Sequence, residues 1–399
     1  MSIPSLWQAS RPMNSAAGTG PEAMDIDEIW RVPDEHVASG RIPGYVGAVR
    51  IRGEVQVRAG GRTALEPDGA PMREDTLFRV ASLTKPIGGA LTLSLVQDGV
   101  LALDDPIALW LPELESPRVL ERPDAPLDRT VDAERPITVR HLLTMTAGWG
   151  AVLADTPLRA AMLERDLYPG PMPRPLTGDE FVAALAGLPL AFQPGEGWLY
   201  DTGMDVLGVL LVRATGRPLS DLVAERITGP LGMASTGFWA TDPDRLATSY
   251  RPGPEGLELR DPPDGLYARP PRFEELGGGL VAGAPDILRF FSAMADGGAP
   301  VLSAESVALM TADALTDAQR EDALPIVGPG ASWGLATGVD VEAAEPGMAP
   351  GRWGWNGGTG TTAYVDPTRD TVGVLLTQRE MTGAQDGYGD FWAAVAAAA

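Results

Sequence analysis

Apolar positions alternate with polar or small ones through YVGAVRIRG (45–53) and EVQVRAGG (54–61), and each run ends in glycine, which predicts a β-hairpin. The preceding stretch, 24–40, has the spacing of an opening helix stopped at Gly40. From Ser82 the period becomes helical and holds to about Gln97, where Asp98-Gly99 ends it. From there to about residue 275 helical segments alternate with Pro-rich loops; VRHLLTMTAG, GDEFVAALAG and GMDVLGVLLVRATG are examples. The stretch 111–137, crowded with Pro, Asp and Arg, predicts a long surface excursion. Strand patterns return in SWGLATGVDV, TTAYVDP and DTVGVLLTQ, and GDFWAAVAAAA closes the chain as a helix. Strands near both ends around a helical middle predict an α+β fold, with one sheet assembled from both ends. The boundaries this implies are a disordered segment 1–23, a sheet domain from 24–81 and 276–399, and an inserted helical domain 82–275 with the active site at the interface. No internal repeat is present.

Composition narrows the chemistry. The 399 residues are 44% hydrophobic and 21% charged, ordinary for a soluble globular protein, but the net charge is −23. No basic block exists to neutralise phosphates, which argues against nucleic acid and against an anionic membrane surface as partners. Cysteine is absent, so disulfides, thiolate nucleophiles and Cys-ligated metals are excluded. The first twenty residues lack the charged and apolar regions of a secretion signal, and no apolar run is long enough for a membrane span, so a cytoplasmic protein is expected. The two histidines, His36 and His141, each stand alone on a helical segment without a second ligand at metal spacing; no metal site is expected, and no cofactor. Oligomeric state is not legible.

Two serines sit in motif-like surroundings. Ser332 lies in GASWG, which matches the G-x-S-x-G elbow, but that elbow needs a strand before it, a helix after it and a later histidine. Here a strand pattern follows and the last histidine is at 141, so Ser332 is not expected to be a nucleophile. Ser82 is followed at i+3 by Lys85, the only lysine among 31 Lys and Arg residues. On a helix these positions share a face, so the amine can reach the hydroxyl, and the helix start aims backbone N–H groups at developing negative charge. Arginine does not deprotonate in a protein, whereas burial can depress a lysine pKa from about 10.4 toward 7–8, which makes Lys85 a candidate base for Ser82.

Two further stretches qualify. In PGEGWLYDTGMDVLG, Thr202 and Asp205 have the spacing of a capping box opening a helix over 203–214, which places Tyr200 just ahead of it, where a phenol next to an ammonium can carry protons. In GRWGWNGGTGTTAYVDP, glycines around Asn356 permit close backbone approach to a ligand, or a simple hairpin turn. A strand edge there would supply one oxyanion N–H, with Ser82's own N–H as the other.

In this order, the three elements resemble the serine β-lactamase and penicillin-binding-protein superfamily, and more narrowly the class C β-lactamase-like esterases known as family VIII carboxylesterases. FRVASLTKPIGGALTLSLVQDGVLALDDPI, ITVRHLLTMTAGWG and GGGLVAGAPDILRFFSAMADGG extend the likeness over most of the chain. The resemblance implies a β-lactamase/transpeptidase-like fold, an antiparallel sheet flanked by helices with an all-helical domain. It implies Ser82 as acylated nucleophile, Lys85 as its activating partner and Tyr200 as proton shuttle. Trp355, Asn356 and Gly357 then occupy the third motif, Gly358 N–H completes the oxyanion hole, and Thr202 stands for part of a missing Asn in the second motif, YDT. Trp355 replaces a usual cation, and a neutral indole favours an uncharged substrate group. The chain therefore reads as a serine carboxylesterase acting on small neutral esters. Alternatives are a β-lactamase, D-amino-acid peptidase or acyltransferase with the same nucleophile, or a non-catalytic binding protein of that fold. Trp198 and Trp353 are candidates for the pocket or for the core.

Overall fold

A computed structural model describes residues 26–65, 69–383, 386 and 388–399. The segment 1–23, expected to be disordered, lies outside the described residues. The main sheet has seven antiparallel strands. They are β1 (Gly44–Ile51), β2 (Glu54–Gly61), β3 (Ala331–Trp333), β4 (Gly338–Asp340), β5 (Trp353–Gly357), β6 (Thr361–Asp366) and β7 (Thr371–Thr377), in the spatial order β2-β1-β7-β6-β5-β4-β3. The N-terminal hairpin joins the C-terminal strands through β1 and β7, in a register from Tyr45–Thr377 to Ile51–Thr371. The sheet is thus built from both ends of the chain, as the hydrophobic pattern implies.

β1 and β7 are buried along almost their whole length because both faces of the sheet are covered. Tyr45, Val49, Ile51 and Leu375 point to one face. There they pack against α1 (Asp27–Ala38), through Ile29 and Trp30, and the terminal helix Gly389–Ala398, through Phe391, Trp392 and Val395. His36 joins these two helices, its Nε2 lying 2.7 Å from Asp390 Oδ2. Val46, Ala48, Val372, Val374 and Leu376 belong to the larger core on the other face, with Phe290, Phe291 and Met294 of the helix Ala284–Ala295.

The same core continues into α2 (Thr84–Gln97), which is buried from Thr84 through Leu95 and is therefore a central helix rather than an amphipathic one. The remaining helices used below are α3 (Val139–Leu143) and α4 (Thr202–Thr215). His141 belongs to α3 and helps cap it: Thr138 N–H donates to His141 Nδ1 at 3.2 Å while Thr138 Oγ1 accepts from His141 N–H. Two stretches depart from the sequence reading. The excursion 111–137 contains a small hairpin, Arg118–Leu120 with Thr130–Asp132, and a further hairpin, Ser249–Gly253 with Gly256–Asp261, lies where only helices and loops were expected. The second carries Asp261, whose carboxylate accepts from the buried Arg79 guanidinium at 2.8 Å. Among the described residues no helix is long and apolar enough to cross a membrane.

Candidate active site

Ser82 stands in a single 3-10 turn, Ala81–Leu83, that feeds directly into α2. Its neighbour Ala81 has φ of 44°, a conformation unfavourable for a residue with a Cβ. Asp201, next to Tyr200, has φ of 87°. Strained backbone of this kind persists where the surrounding structure over-determines it. Here the turn is fixed from the sheet side. Thr359 Oγ1 donates to Arg79 C=O at 2.5 Å and Thr361 Oγ1 to Val80 C=O at 2.9 Å. β5 also approaches so closely that a Cβ on Gly357 would fall 2.3 Å from the Val80 carbonyl oxygen. Only glycine fits at that position. Gly358, just past the last ladder pair Gly357–Thr361, is exposed in the turn beside the Ser82 segment.

Lys85 lies one helical turn on, and its side chain is 0% exposed. Its Nζ donates to Ser82 Oγ at 2.9 Å, to Asp201 Oδ1 and to the carbonyl of Gly277. An ammonium has three N–H donors, and three acceptors surround this one. Burial acts to lower the Lys85 pKa, but Asp201, Tyr200 and Asp205 outweigh it and raise the group above its ordinary value. The expected lowering by burial is thus opposed at this site by neighbouring negative charge, which favours the protonated form of Lys85. The single lysine is explained differently. A compact ammonium with three radiating donors fits this cage, and a planar guanidinium fork does not.

Tyr200 sits over this ammonium, with Nζ 4.4 Å from the ring centroid. Its own C=O accepts from Ala151 N–H at 2.9 Å. Trp355 Nε1 donates to Tyr200 Oη at 2.5 Å. Burial pushes the phenol above its ordinary value, with Asp201 acting the same way, while Lys85, Ser82 and Trp355 favour the ionised form. Trp198, Trp333 and Trp355 enclose the ring. Trp198 stacks on it at 5.9 Å, Trp333 meets it edge-on at 5.8 Å, and Trp333 and Trp355 are T-shaped at 4.7 Å. Trp333 carries no motif signal in the sequence; it reaches the site because β3 forms the sheet edge beside α3, where its Nε1 donates to Leu143 C=O at 3.1 Å.

Ser82, Lys85, Tyr200 and Trp355 thus converge, with Gly357 and Gly358 on the adjoining strand end. The others do not. Thr202 is 0% exposed, its hydroxyl has no hydrogen-bond partner, and it is the first residue of α4 rather than its cap. The expected capping box does not form, because the Asp205 carboxylate turns to Gly277 N–H at 2.8 Å and Arg174 at 2.6 Å. Asn356 alternates with Trp355 along β5, so its side chain points to the opposite sheet face, where its Oδ1 accepts from Thr362 at 2.6 Å. It is held there and does not line the Ser82 side. Trp353 stacks on Phe291 at 5.5 Å in the core. Ser332 is 0% exposed in β3 and donates to Asp313 at 2.5 Å, away from any strand-to-helix turn. Asp201 is the residue that sequence reasoning missed. It lies inside the YDT motif, but only its unusual backbone and its carboxylate next to Lys85 reveal its place. Among the described residues no group of three or more His, Asp or Glu is disposed to hold a metal ion.

This fold, with a serine and lysine at the start of a buried helix facing a strand edge, defines the β-lactamase-fold serine hydrolases. Residues 31–398 match the family described as Beta-lactamase, and the chain belongs to it. It is 40% identical to Protein Rv1367c of Mycobacterium tuberculosis (strain ATCC 25618 / H37Rv) over 324 residues, covering 78% of this chain and 79% of that protein. It is 34% identical to Esterase EstB of Burkholderia gladioli over 400 residues, 92% of this chain and 96% of that protein. Among solved structures it resembles EstCE1, described as a hydrolase with promiscuous acyltransferase activity, with a TM-score of 0.80 at 26% identity over 93% of this chain and 97% of that one. Simvastatin synthase (LovD) from Aspergillus terreus shares the fold, with a TM-score of 0.77 at 24% identity over 94% of this chain and 97% of that one.

Proposed function

We propose that the protein is a serine esterase that cleaves small neutral esters through an acyl-enzyme on Ser82. The observation that carries this reading is the saturated ammonium of Lys85, 2.9 Å from Ser82 Oγ and 4.4 Å from the Tyr200 ring. With all three N–H groups engaged, Lys85 acts as a fixed cation and Tyr200 is the proton carrier. In the reactive form Tyr200 has lost its proton, stabilised by the ammonium and by the Trp355 N–H. Its oxygen takes the Ser82 proton as Oγ bonds to the ester carbonyl carbon. The N–H groups of Ser82 and Gly358 receive the oxyanion. As the intermediate collapses, the C–O bond to the alcohol breaks and Tyr200 returns the proton to the leaving oxygen. Water then attacks the acyl carbon as Tyr200 takes its proton; the acyl C–Oγ bond breaks, Tyr200 passes that proton to Ser82 Oγ, and the free acid leaves.

Substrate preference follows from what surrounds the serine on the sheet side. Trp355 is 5% exposed and uncharged, and its polar N–H is already committed to Tyr200. A substrate carboxylate would find no cation there, whereas an apolar acyl or alcohol group meets indole surface. Acyl transfer to an alcohol is the second reading, favoured by the likeness to EstCE1; an alcohol in place of water completes the same cycle.

The test is hydrolysis of p-nitrophenyl butyrate and nitrocefin side by side, with intact-mass detection of the adduct. The butyrate ester is expected to turn over faster, and a +acyl mass is expected on wild type and not on Ser82→Ala. Faster nitrocefin turnover would overturn the ester preference, and an undiminished adduct on Ser82→Ala would remove the nucleophile.

A further inference from the structure

Arg174 lies in the Pro-rich stretch YPGPMPRPLTG, yet its side chain is only 8% exposed and its guanidinium stands 5.1 Å from the Phe181 ring centroid. Nη1 donates to Asp205 Oδ2 at 2.6 Å and to Glu275 Oε1. Nη2 makes no hydrogen bond among the described residues but lies 4.0 Å from Asp201 Oδ2, the carboxylate whose other oxygen accepts from Lys85. A second arm runs through Asp205 Oδ1, which accepts from Gly277 N–H at 2.8 Å, while the Gly277 carbonyl accepts from Lys85. A Cβ on Gly277 would sit 2.6 Å from Asp205 Oδ1, so the arm needs glycine. One guanidinium therefore reaches one ammonium by two routes.

The charges in this enclosure come from four elements. α2 gives Lys85, the start of α4 gives Asp201 and Asp205, the 168–176 loop gives Arg174, and the turn before Gly277 gives Glu275. The titratable neighbours without charge are Tyr200 next to Lys85, Tyr267 next to Glu275, and Tyr364, which interacts with Tyr200 from the sheet. Two cations against three carboxylates leave an excess of one negative charge when all are ionised. Burial, with Asp205 and Asp201 adding to it against Arg174, pushes the Glu275 carboxyl up to about 8, as an enclosed excess of negative charge requires.

We propose that Arg174 is a positioning residue for the nucleophilic site: it touches no reacting atom, holds the Asp205–Gly277 arm in register with Lys85, opposes the Asp201 charge, and through charge balance sets the pH at which Tyr200 can accept the serine proton. Loss of the Arg174 charge leaves uncompensated carboxylates, and the Lys85–Tyr200 pair then retains its proton to higher pH. Loss of the Glu275 charge acts in the opposite sense. The inference rests on Ser82 being the nucleophile but not on which ester it attacks.

The test is the rate at which a fluorophosphonate probe labels Ser82, followed from mildly acidic to alkaline pH. Arg174→Gln is expected to move the rising limb up by roughly one pH unit and Glu275→Gln to move it down, with the double variant returning toward wild type. Arg174→Lys, which keeps the charge, should stay nearer to wild type than Arg174→Gln. An unshifted limb in Arg174→Gln and Glu275→Gln, or a shift of both in one direction, overturns the proposal. If Arg174→Gln loses cooperative thermal unfolding, the Glu275→Gln limb decides, and its failure to move down is equally fatal. Absence of labelling in wild type would instead remove the Ser82 reading itself, whereas labelled variants with unmoved profiles sink only the role of Arg174.

Discussion

The two walls around Ser82 are built on opposite principles. The helical wall concentrates charge: Lys85, Asp201, Asp205, Arg174 and Glu275 are packed together with side chains at most 11% exposed. The sheet wall is neutral among the described residues that form it, Trp333, Trp355 and the backbone of Gly357 and Gly358, and the Trp355 indole N–H donates to Tyr200. The nearest buried cation of the sheet, Arg352, is turned to the far face, where it pairs with Asp340 at 2.8 Å and lies 3.8 Å from the Tyr364 ring centroid. This division separates two tasks. On the proposed mechanism, a buried cation paired with Asp201 favours an oxyanion on Tyr200, and the neutral wall opposite presents no charge to a substrate.

Removing the cation should break the contrast most severely. Lys85→Met is expected to lower kcat/KM for p-nitrophenyl esters by about 10²–10³-fold, since Tyr200 would then have to ionise next to Asp201 without an opposing charge. In the wild type both Lys85 and Tyr200 lie above their ordinary values. The active form has one proton fewer, so kcat/KM should climb as pH rises through the alkaline range. A profile already flat at neutral pH would contradict the fixed-cation role. Asp201→Ala leaves Lys85 enclosed without its carboxylate; a stability loss of about 3–5 kcal/mol is expected by denaturant unfolding.

The neutral wall should respond more mildly. Trp355→Phe keeps a ring but deletes the N–H donated to Tyr200. A fall in kcat of roughly ten- to a hundredfold with little change in KM is expected, the worth of one hydrogen bond to a charged oxygen. A change confined to KM would mean that Trp355 only shapes the pocket. Smallest of all, Ser332→Ala removes a hydrogen bond to Asp313 in β3 and should leave ester turnover intact at a cost of about 1 kcal/mol in stability.

Periodicity and turn residues made the sheet from two chain ends legible, because alternation and helical spacing are local consequences of which face each residue buries. Ser82 and Lys85 were legible for the same reason: i to i+3 contact is fixed by helix geometry alone. Tyr200 and Trp355 were visible as motif positions, but their hydrogen bond joins residues 155 apart in sequence. The second hairpin was missed because its strand Gly256–Asp261 is short and its alternating leucines do not reach the core: Leu259 is 55% exposed.

By itself, then, the sequence determined most of the elements and the pairing of Ser82 with the amine one turn away, since these depend on contacts within a few residues. The tertiary structure decided what surrounds that amine and the withdrawal of Thr202. Each depends on what distant segments bring alongside. The protonated form of Lys85 is favoured because Asp201 and the Gly277 carbonyl, 116 and 192 positions away, close around it. For a buried group, the balance between desolvation and opposing charge is set by those neighbours and not by the residue type.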